Sequence, residues 1–468
     1  MRSFAGLLLV LGLFMGPALA EEAAPQSEVE AVAEPAAAAG VQFLDGNGKA
    51  LGELVKSVTL SGVLRSRIEV VENLLTFDDD LDDSADYVDN LVRLGLGFEL
   101  VDGVSALVEL QVNEVWGANT VGADEDVDIY QAYVDIETKL PFGGADGSGL
   151  PITVRIGRHE IVLGDEMLLG DDSYYDGLTH DAVHVMGDDG AGFTWSLVLG
   201  RSEEEDVSDI AAVPALRVAA GAGVSEEEDD NLYALCGTYT GLQDTTIDGY
   251  LIIVDDNEDT AVAEETRYTL GGRVATSYAL DDKNVLDGKL ELAYQFGDDA
   301  ADGDGDGDND GIGAFAAEFE IGWTPNKGDP EWEARFALGL NFASGDDDLT
   351  DDDAETFDPL SGDVHERLGK ADVLVLSNIM AYYLEAVAKP VEQAELGITY
   401  LIATAEEDNA AGDDDILDEL DLWAGYTVTE NLSLEAGVAI VMPDDWLVGA
   451  GGPDDNAFRV FIEANVKW

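Results

Sequence analysis

The 468 residues carry 100 acidic against 22 basic side chains, a formal charge of −78. A duplex-binding surface needs clustered Lys and Arg, so nucleic-acid partners are excluded. Yet 46% of the residues are hydrophobic, too many for a disordered polyanion, so acidic and apolar residues must be segregated along the chain.

The first twenty residues, MRSFAGLLLVLGLFMGPALA, place Arg2 before an apolar run from Phe4 to Met15 and close on Ala18-Leu19-Ala20. This pattern predicts a secretory signal peptide over 1–20, cut before Glu21. The apolar run is too short to cross a bilayer as a helix, and no later run is long enough. Cys236 is the single cysteine, so no intrachain disulfide can form. Residues 21–56 begin rich in Ala, Glu and Pro and read as a periplasmic tether.

From residue 57 onward one pattern repeats. In NLVRLGLGFEL, Val92, Leu94, Leu96, Phe98 and Leu100 oppose Arg93, Gly95, Gly97 and Glu99. Successive strand side chains point to opposite faces, so each such run is a two-faced strand. Similar runs begin near residues 57, 104, 127, 151, 181, 192, 231, 246, 266, 286 and 311. Others include EWEARFALGLNF, runs near 372, 391 and 416, NLSLEAGVAIVM and the terminal FRVFIEANVKW. The count is about eighteen, each near the 9–11 residues of a tilted membrane strand. An even count lets an antiparallel sheet close. The expected fold is all-β, a transmembrane antiparallel barrel over 57–468.

The connections alternate in length. TFDDDLDDSADYVDN is long and VDG short; GDDSYYDGLTHD is long and GDDGA short; the rhythm persists to the end. Most acidic residues fall in the long segments, which predicts long acidic external loops and short periplasmic turns. Trp116, Trp323, Trp332, Trp423, Trp446 and Trp468 lie near strand ends, where interfacial girdles place aromatics. The apolar side of the last strand then faces outer-membrane lipid. Its closing aromatic resembles the C-terminal signal that the outer-membrane assembly machinery reads.

Few residues suggest site chemistry. DGDGDGDND places Asp304, Asp306, Asp308 and Asp310 at alternate positions, as Ca²⁺ loops do, but the twelfth position of an EF-hand is Ala317 rather than Glu. Weak Ca²⁺ binding by such acidic loops is the one cofactor expectation. His180 and His184 share a strand face, while Asp181 points away; two imidazoles are too few for a metal site, so they read as ordinary strand residues. His159-Glu160 and His365-Glu366 lack the second His of a zincin helix, and no Ser/His/acid grouping stands out. No enzyme is expected.

Two stretches carry a family resemblance. VRIGRHEIVLGDEMLLGDDSYYDGLTHDAVHV is similar to a GRQ-type strand, a GD-x-R-L-G loop and a Trp-bearing segment ending in R-x-F-D. The other is NFASGDDDLTDDDAETFDPLSGDVHERLGKADVLVLSN. Ala343-Ser344-Gly345-Asp346, Thr356-Phe357-Asp358-Pro359-Leu360, His365, Gly369, Asp372 and Asn378 match an ASGD…TFDPLFP…H…G…D…N pattern. Together with LDELDLWAGYTVTENLSLEAGVAIVMPDDW, these resemble the alginate-export family of outer-membrane channels. The resemblance implies an eighteen-stranded barrel in the bacterial outer membrane, a passing polysaccharide, and a lumenal arginine ring that attracts it. Met167 stands at the family's loop arginine, Leu178 at the R-x-F-D arginine, and Tyr174 or Tyr175 at the Trp. Candidate substrate-path residues are Arg65, Arg67, Arg93, Arg155, Arg158, Arg335, Arg459, Glu99 and Glu333. All but Arg158 share the inward parity, and so do Glu69, Glu109, Glu318, Glu320, Glu331 and Glu463. The expected function is a channel giving passive passage to hydrophilic solute or polysaccharide. The alternatives are a general cation-preferring porin with Ca²⁺ on its loops, or a surface coat or adhesin barrel.

Overall fold

A computed structural model describes residues 55–468 except 75, 82, 118–126, 142–148, 203–229, 256–264, 300–309, 330–331, 349, 364, 366, 410 and 450–451. The signal peptide 1–20 and nearly all of the 21–56 tether lie outside the described residues, as do Asp304, Asp306 and Asp308. The strands are β1 (Ser57–Glu72), β2 (Ala85–Val101), β3 (Val104–Trp116), β4 (Asp128–Leu140), β5 (Leu150–His159), β6 (His180–Asp188), β7 (Phe193–Ser202), β8 (Asn231–Leu242), β9 (Thr245–Asp255) and β10 (Thr266–Ala279). They continue with β11 (Val285–Asp298), β12 (Gly311–Thr324), β13 (Glu333–Ala343), β14 (Asp353–Ala354), β15 (Ile379–Val391), β16 (Ala394–Thr404), β17 (Asp415–Thr429), β18 (Leu432–Pro443) and β19 (Ala457–Lys467). One short helix, α1 (Asp445–Val448), precedes the last strand.

Each long strand pairs antiparallel with its neighbours, and β19 returns to β1 with Leu64 opposite Val466 and Ile68 opposite Ile462. The sheet is a closed barrel of eighteen strands. The two-residue β14 only lies parallel to the start of β12. Closure satisfies every strand edge, which a sheet exposed to hydrocarbon requires.

Side-chain parity decides the two faces. On β2, Val92, Leu94 and Leu96 are exposed on the outer surface while Leu91 and Arg93 are buried inside. On β19, Arg459 and Phe461 are buried inside, and Val460 and Ile462 pair outward with Val70 and Ile68 of β1. The girdle reading holds for Trp116, Trp323, Trp332 and Trp468, which are exposed. It fails for Trp423, whose ring lies under Lys370 inside the barrel, and for Trp446, which packs on the interior core from α1. Proximity to a strand end does not by itself fix the face.

Connections of 10 to 35 residues, counted between strand bounds, alternate with connections of two to nine. Both observed termini of the sheet lie at the short-turn end. Two expected boundaries move. Ala85–Asn90, read as loop, belong to β2 through pairs such as Ala85–Val71. The strand expected near 372 begins at Ile379, because Asp372 is buried inside the barrel and bonded to Arg459 and His365.

The interior at the loop end is a true apolar core. Loops 160–179 and 344–378 fold inward and bury Ile161, Met167, Leu168, Leu169, Phe357, Leu368, Leu374 and Leu376. The wall facing them is lined by small side chains, among them Ala314, Ala316, Ala343, Ala381 and Ala403. Small inward residues leave the volume that the loops fill, and burial of each large side chain stabilises the arrangement by about 1.5–3 kcal/mol.

The lumenal constriction as candidate functional site

The two inward loops are stitched to each other. Leu169 and Ser361 form a parallel bridge, in which Gly170 N–H donates to the Ser361 carbonyl at 2.9 Å and Ser361 N–H to that of Leu168 at 3.1 Å. Asp363 N–H donates to the Glu166 carbonyl at 2.9 Å. The carboxylates of Glu166, Asp171 and Asp363 come within 4.8 Å of one another, an oxygen-rich arrangement of the kind hard cations use. Burial, then the charge of Asp171, raises the Glu166 carboxyl above its ordinary range.

Both loops are also tied to the wall, and the predicted arginines supply most of the ties. Arg65 donates to the carbonyls of Ser173 and Tyr174 and pairs with Asp89 at 2.9 Å. Arg67 donates to the Tyr174 carbonyl at 2.9 Å and pairs with Glu69 at 2.7 Å. Arg93 donates to the Asp176 carbonyl at 2.7 Å. Arg459 contacts Asp372, the Lys370 carbonyl and Glu69. Four arginines from β1, β2 and β19 therefore converge on the loops, because adjacent strands present the same inward parity.

On the opposite wall, Asp165 accepts from Arg273 at 3.0 Å and Lys289 at 2.6 Å. Gln295 and Asp358 exchange two backbone-directed bonds of 2.7 and 3.0 Å. Arg367 reaches Glu318 at 2.8 Å, and the Ala371 and Lys370 amides donate to Glu419 and Asp421. A carboxylate that accepts loop amides holds backbone in place, which a like-sized apolar residue could not do.

Asp372 is the centre of the second loop's anchorage, meeting Arg459, His365 and the Tyr175 hydroxyl. Burial alone would raise its carboxyl, but His365 and Arg459 outweigh it, so the group lies far below the ordinary range. Burial is the largest influence on His365 and lowers it, against the pull of Asp372. Gly369 has φ 93°, and a Cβ there would meet the Glu419 carboxylate at 2.5 Å. Phe357 is fully buried, and Asn378 accepts from the Glu406 and Glu407 amides. The residues of the second motif are thus the anchors of the inward loop.

The remaining candidates lie elsewhere. Arg155 forms two bonds with Asp135, at 2.8 and 2.9 Å, and sits over Tyr133. Arg335 is held by Asp287, Glu320 and Glu385 nearer the turn end. Glu99 and Glu333 stand at the turn-side mouth, where the Glu99 carbonyl accepts from Lys56. Arg158 is a correction: it shares the outer face with Ile156 and pairs across strands with Asp181 at 2.9 Å, so it lines no lumenal path. Asp310 is buried, and its carbonyl accepts from Asp299. Arg267 and Arg273 were readable by the same parity as the chosen arginines. Arg367 and Lys370 were not, since a loop has no periodicity to read.

The passage left beside the loops is uneven. A cavity of about 910 Å³ opens between loop residues 162–164 and the wall of β5 to β10. Another of about 420 Å³ is bordered by Glu320, Glu385, Glu395, Asp421 and Glu435 and by Lys289, Arg367 and Lys370.

A barrel with interior loops held by motif residues agrees with the family match, since residues 106–458 fit the family described as Alginate export. The chain belongs to the alginate-export family. No curated protein matches it. Among solved structures it is similar to Pseudomonas aeruginosa OpdK with vanillate, at TM-score 0.59 and 14% identity over 89% of this chain and 100% of that one. Acinetobacter baumannii OccAB2 gives TM-score 0.59 and 12% identity, covering 89% and 99%. A BenF-like porin from Pseudomonas fluorescens Pf-5 gives 0.57 and 13%, covering 89% and 100%. At such identities the likeness shows the fold. This alginate-export family member is a channel of the bacterial outer membrane, in contact with its lipid.

Proposed function

We propose that the barrel is a gradient-driven channel for hydrophilic solutes whose lumen favours neutral and cationic species over polyanions. The observation that supports this reading is how the interior charge is used. Among the described residues, the buried carboxylates are Glu69, Asp89, Asp248, Glu291, Asp310, Glu318, Asp363, Asp372, Glu419 and Asp421, ten against the five guanidiniums of Arg65, Arg67, Arg93, Arg267 and Arg459. Those guanidiniums are held by loop carbonyls and carboxylates, so little positive field faces the passage. Acidic loops at the mouth, with Ca²⁺ on some of their carboxylates, act in the same direction by concentrating cations.

The family name favours a carboxylated polysaccharide, and the charge balance argues against it. Reversal potentials of the refolded protein in planar bilayers under a KCl gradient decide between them. The expected result is potassium preference and no block by added alginate oligomers. Chloride preference, or concentration-dependent block, would overturn the proposal and restore the polysaccharide reading.

A further inference from the structure

Three of the chain's four histidines lie outside the constriction's anchorage. His159 sits opposite His180 in the β5–β6 ladder, and His180 and His184 share the inward face of β6. The Nδ1–H of His184 donates to the Nε2 of His159 at 3.3 Å, with ring planes inclined by 15° and centroids 5.4 Å apart, so a metal ion held between the two would take the place of that proton. Two Zn–N bonds of ~2.0–2.1 Å at a tetrahedral angle separate their nitrogens by about 3.3–3.4 Å. The Nδ1–H of His159 donates to the Gly157 carbonyl at 2.9 Å, which leaves its Nε2 as a lone-pair donor. Metal-bound histidines are oriented in this way by a carbonyl on the far nitrogen. The edge of His159 rests against Tyr133. Both ring nitrogens of fully buried His180, and the Nε2 of His184, have no hydrogen-bond partner. Buried imidazole nitrogens without partners are costly, and a metal ion is one group that would satisfy them.

We infer that His159, His184 and His180 form a site for a borderline divalent transition-metal ion, with Zn²⁺ as the probe. His159 and His184 supply two bonds where they stand. Among the described residues one trio alone has donor atoms all within 4.8 Å, and it is the Glu166 group, so the His180 ring must turn about its side-chain bonds towards the other two. Water completes the tetrahedron. The ion enters from the cavity of about 910 Å³ that His184 lines. Imidazole nitrogen selects Zn²⁺ over Ca²⁺, whereas the loop carboxylates prefer the hard cation. The bound ion would cross-link β5 to β6 at the root of loop 160–179.

The test is calorimetric titration of the refolded full chain with ZnCl₂ in excess CaCl₂, so that the acidic loops are already occupied. One Zn²⁺ per chain is expected, with affinity at least tenfold weaker in His159→Ala, in His184→Ala and in His180→Ala. Should an alanine variant fail to fold, the corresponding glutamine variant, which keeps a polar group of similar size, is measured instead. Displacement of Zn²⁺ by Ca²⁺, or unchanged affinity in any of the three variants, would overturn the three-imidazole site.

Discussion

The wall formed by β19, β1 and β2 and the wall formed by β5 to β9 are built from the same alternating strands, yet they treat the lumen differently. The first spends Arg459, Arg65, Arg67 and Arg93 on loop carbonyls and carboxylates, and the loops lie tight against it. The second leaves a cavity of about 910 Å³ beside the loops, with the His159–His184 pair on its strands. Periodicity makes the barrel, and the identity of a few inward side chains decides where it is closed. The closed side is held by buried charge, and the open side is where solute and ions have room.

Breaking the closed side should give the largest effect. Asp372→Ala takes from Arg459, His365 and Tyr175 the carboxylate they share, leaving Arg459 with Glu69 and the Lys370 carbonyl, a loss of about 3 kcal/mol in local anchorage. Larger single-channel conductance and proteolytic cutting within 344–378 are expected, and an unchanged channel would show that the loop is held by other means. Phe357→Ala removes a fully buried ring at about 3–5 kcal/mol, measured by urea unfolding of the refolded barrel. The exposed Phe336 of β13 is the control, since its outward ring has no protein cavity to leave. On the lipid face, Leu94→Arg near the middle of β2 should cost about 2–4 kcal/mol in lipid vesicles. No loss there would contradict the outward assignment.

Smaller effects sharpen the open side. Glu385→Gln and Glu395→Gln, at the cavity of about 420 Å³, should each reduce potassium preference in reversal-potential measurements. Acidification should tighten the loop contact. The Glu166 carboxyl is raised in the folded protein, so its ionisation opposes folding. Its stabilising contribution is complete below the unfolded value near 4.3 and is lost as pH rises through the higher folded value. Lowering pH from 7 towards the unfolded value should therefore lower mean conductance in the wild type and less so in Glu166→Gln.

Much of this was legible from residue order. The strand starts near 57, 104, 151, 231, 266, 311 and 416 match the structure within a residue, because each begins a run with a wet face and an apolar face. Inward parity correctly placed Arg65, Arg67, Arg93, Arg155, Arg335 and Arg459 inside and set Arg158 apart. What Arg65, Arg67, Arg93 and Arg459 touch was hidden, since their partners include loop carbonyls 83 to 109 residues away in sequence. His159 was hidden as the neighbour of His184 for the same reason: the pair is made by cross-strand register and side-chain direction.

By itself the sequence determined the barrel. A twofold alternation cannot be satisfied except by a sheet with different solvents on its two faces, and an even number of strands with alternating connection lengths closes that sheet. Only the tertiary structure decided the lumen. Loops 160–179 and 344–378 lack a period, and their course follows from the volume left by inward alanines and from the charges that meet them there. Pattern fixes a surface that repeats; the contents of a cavity depend on contacts between residues distant in the chain.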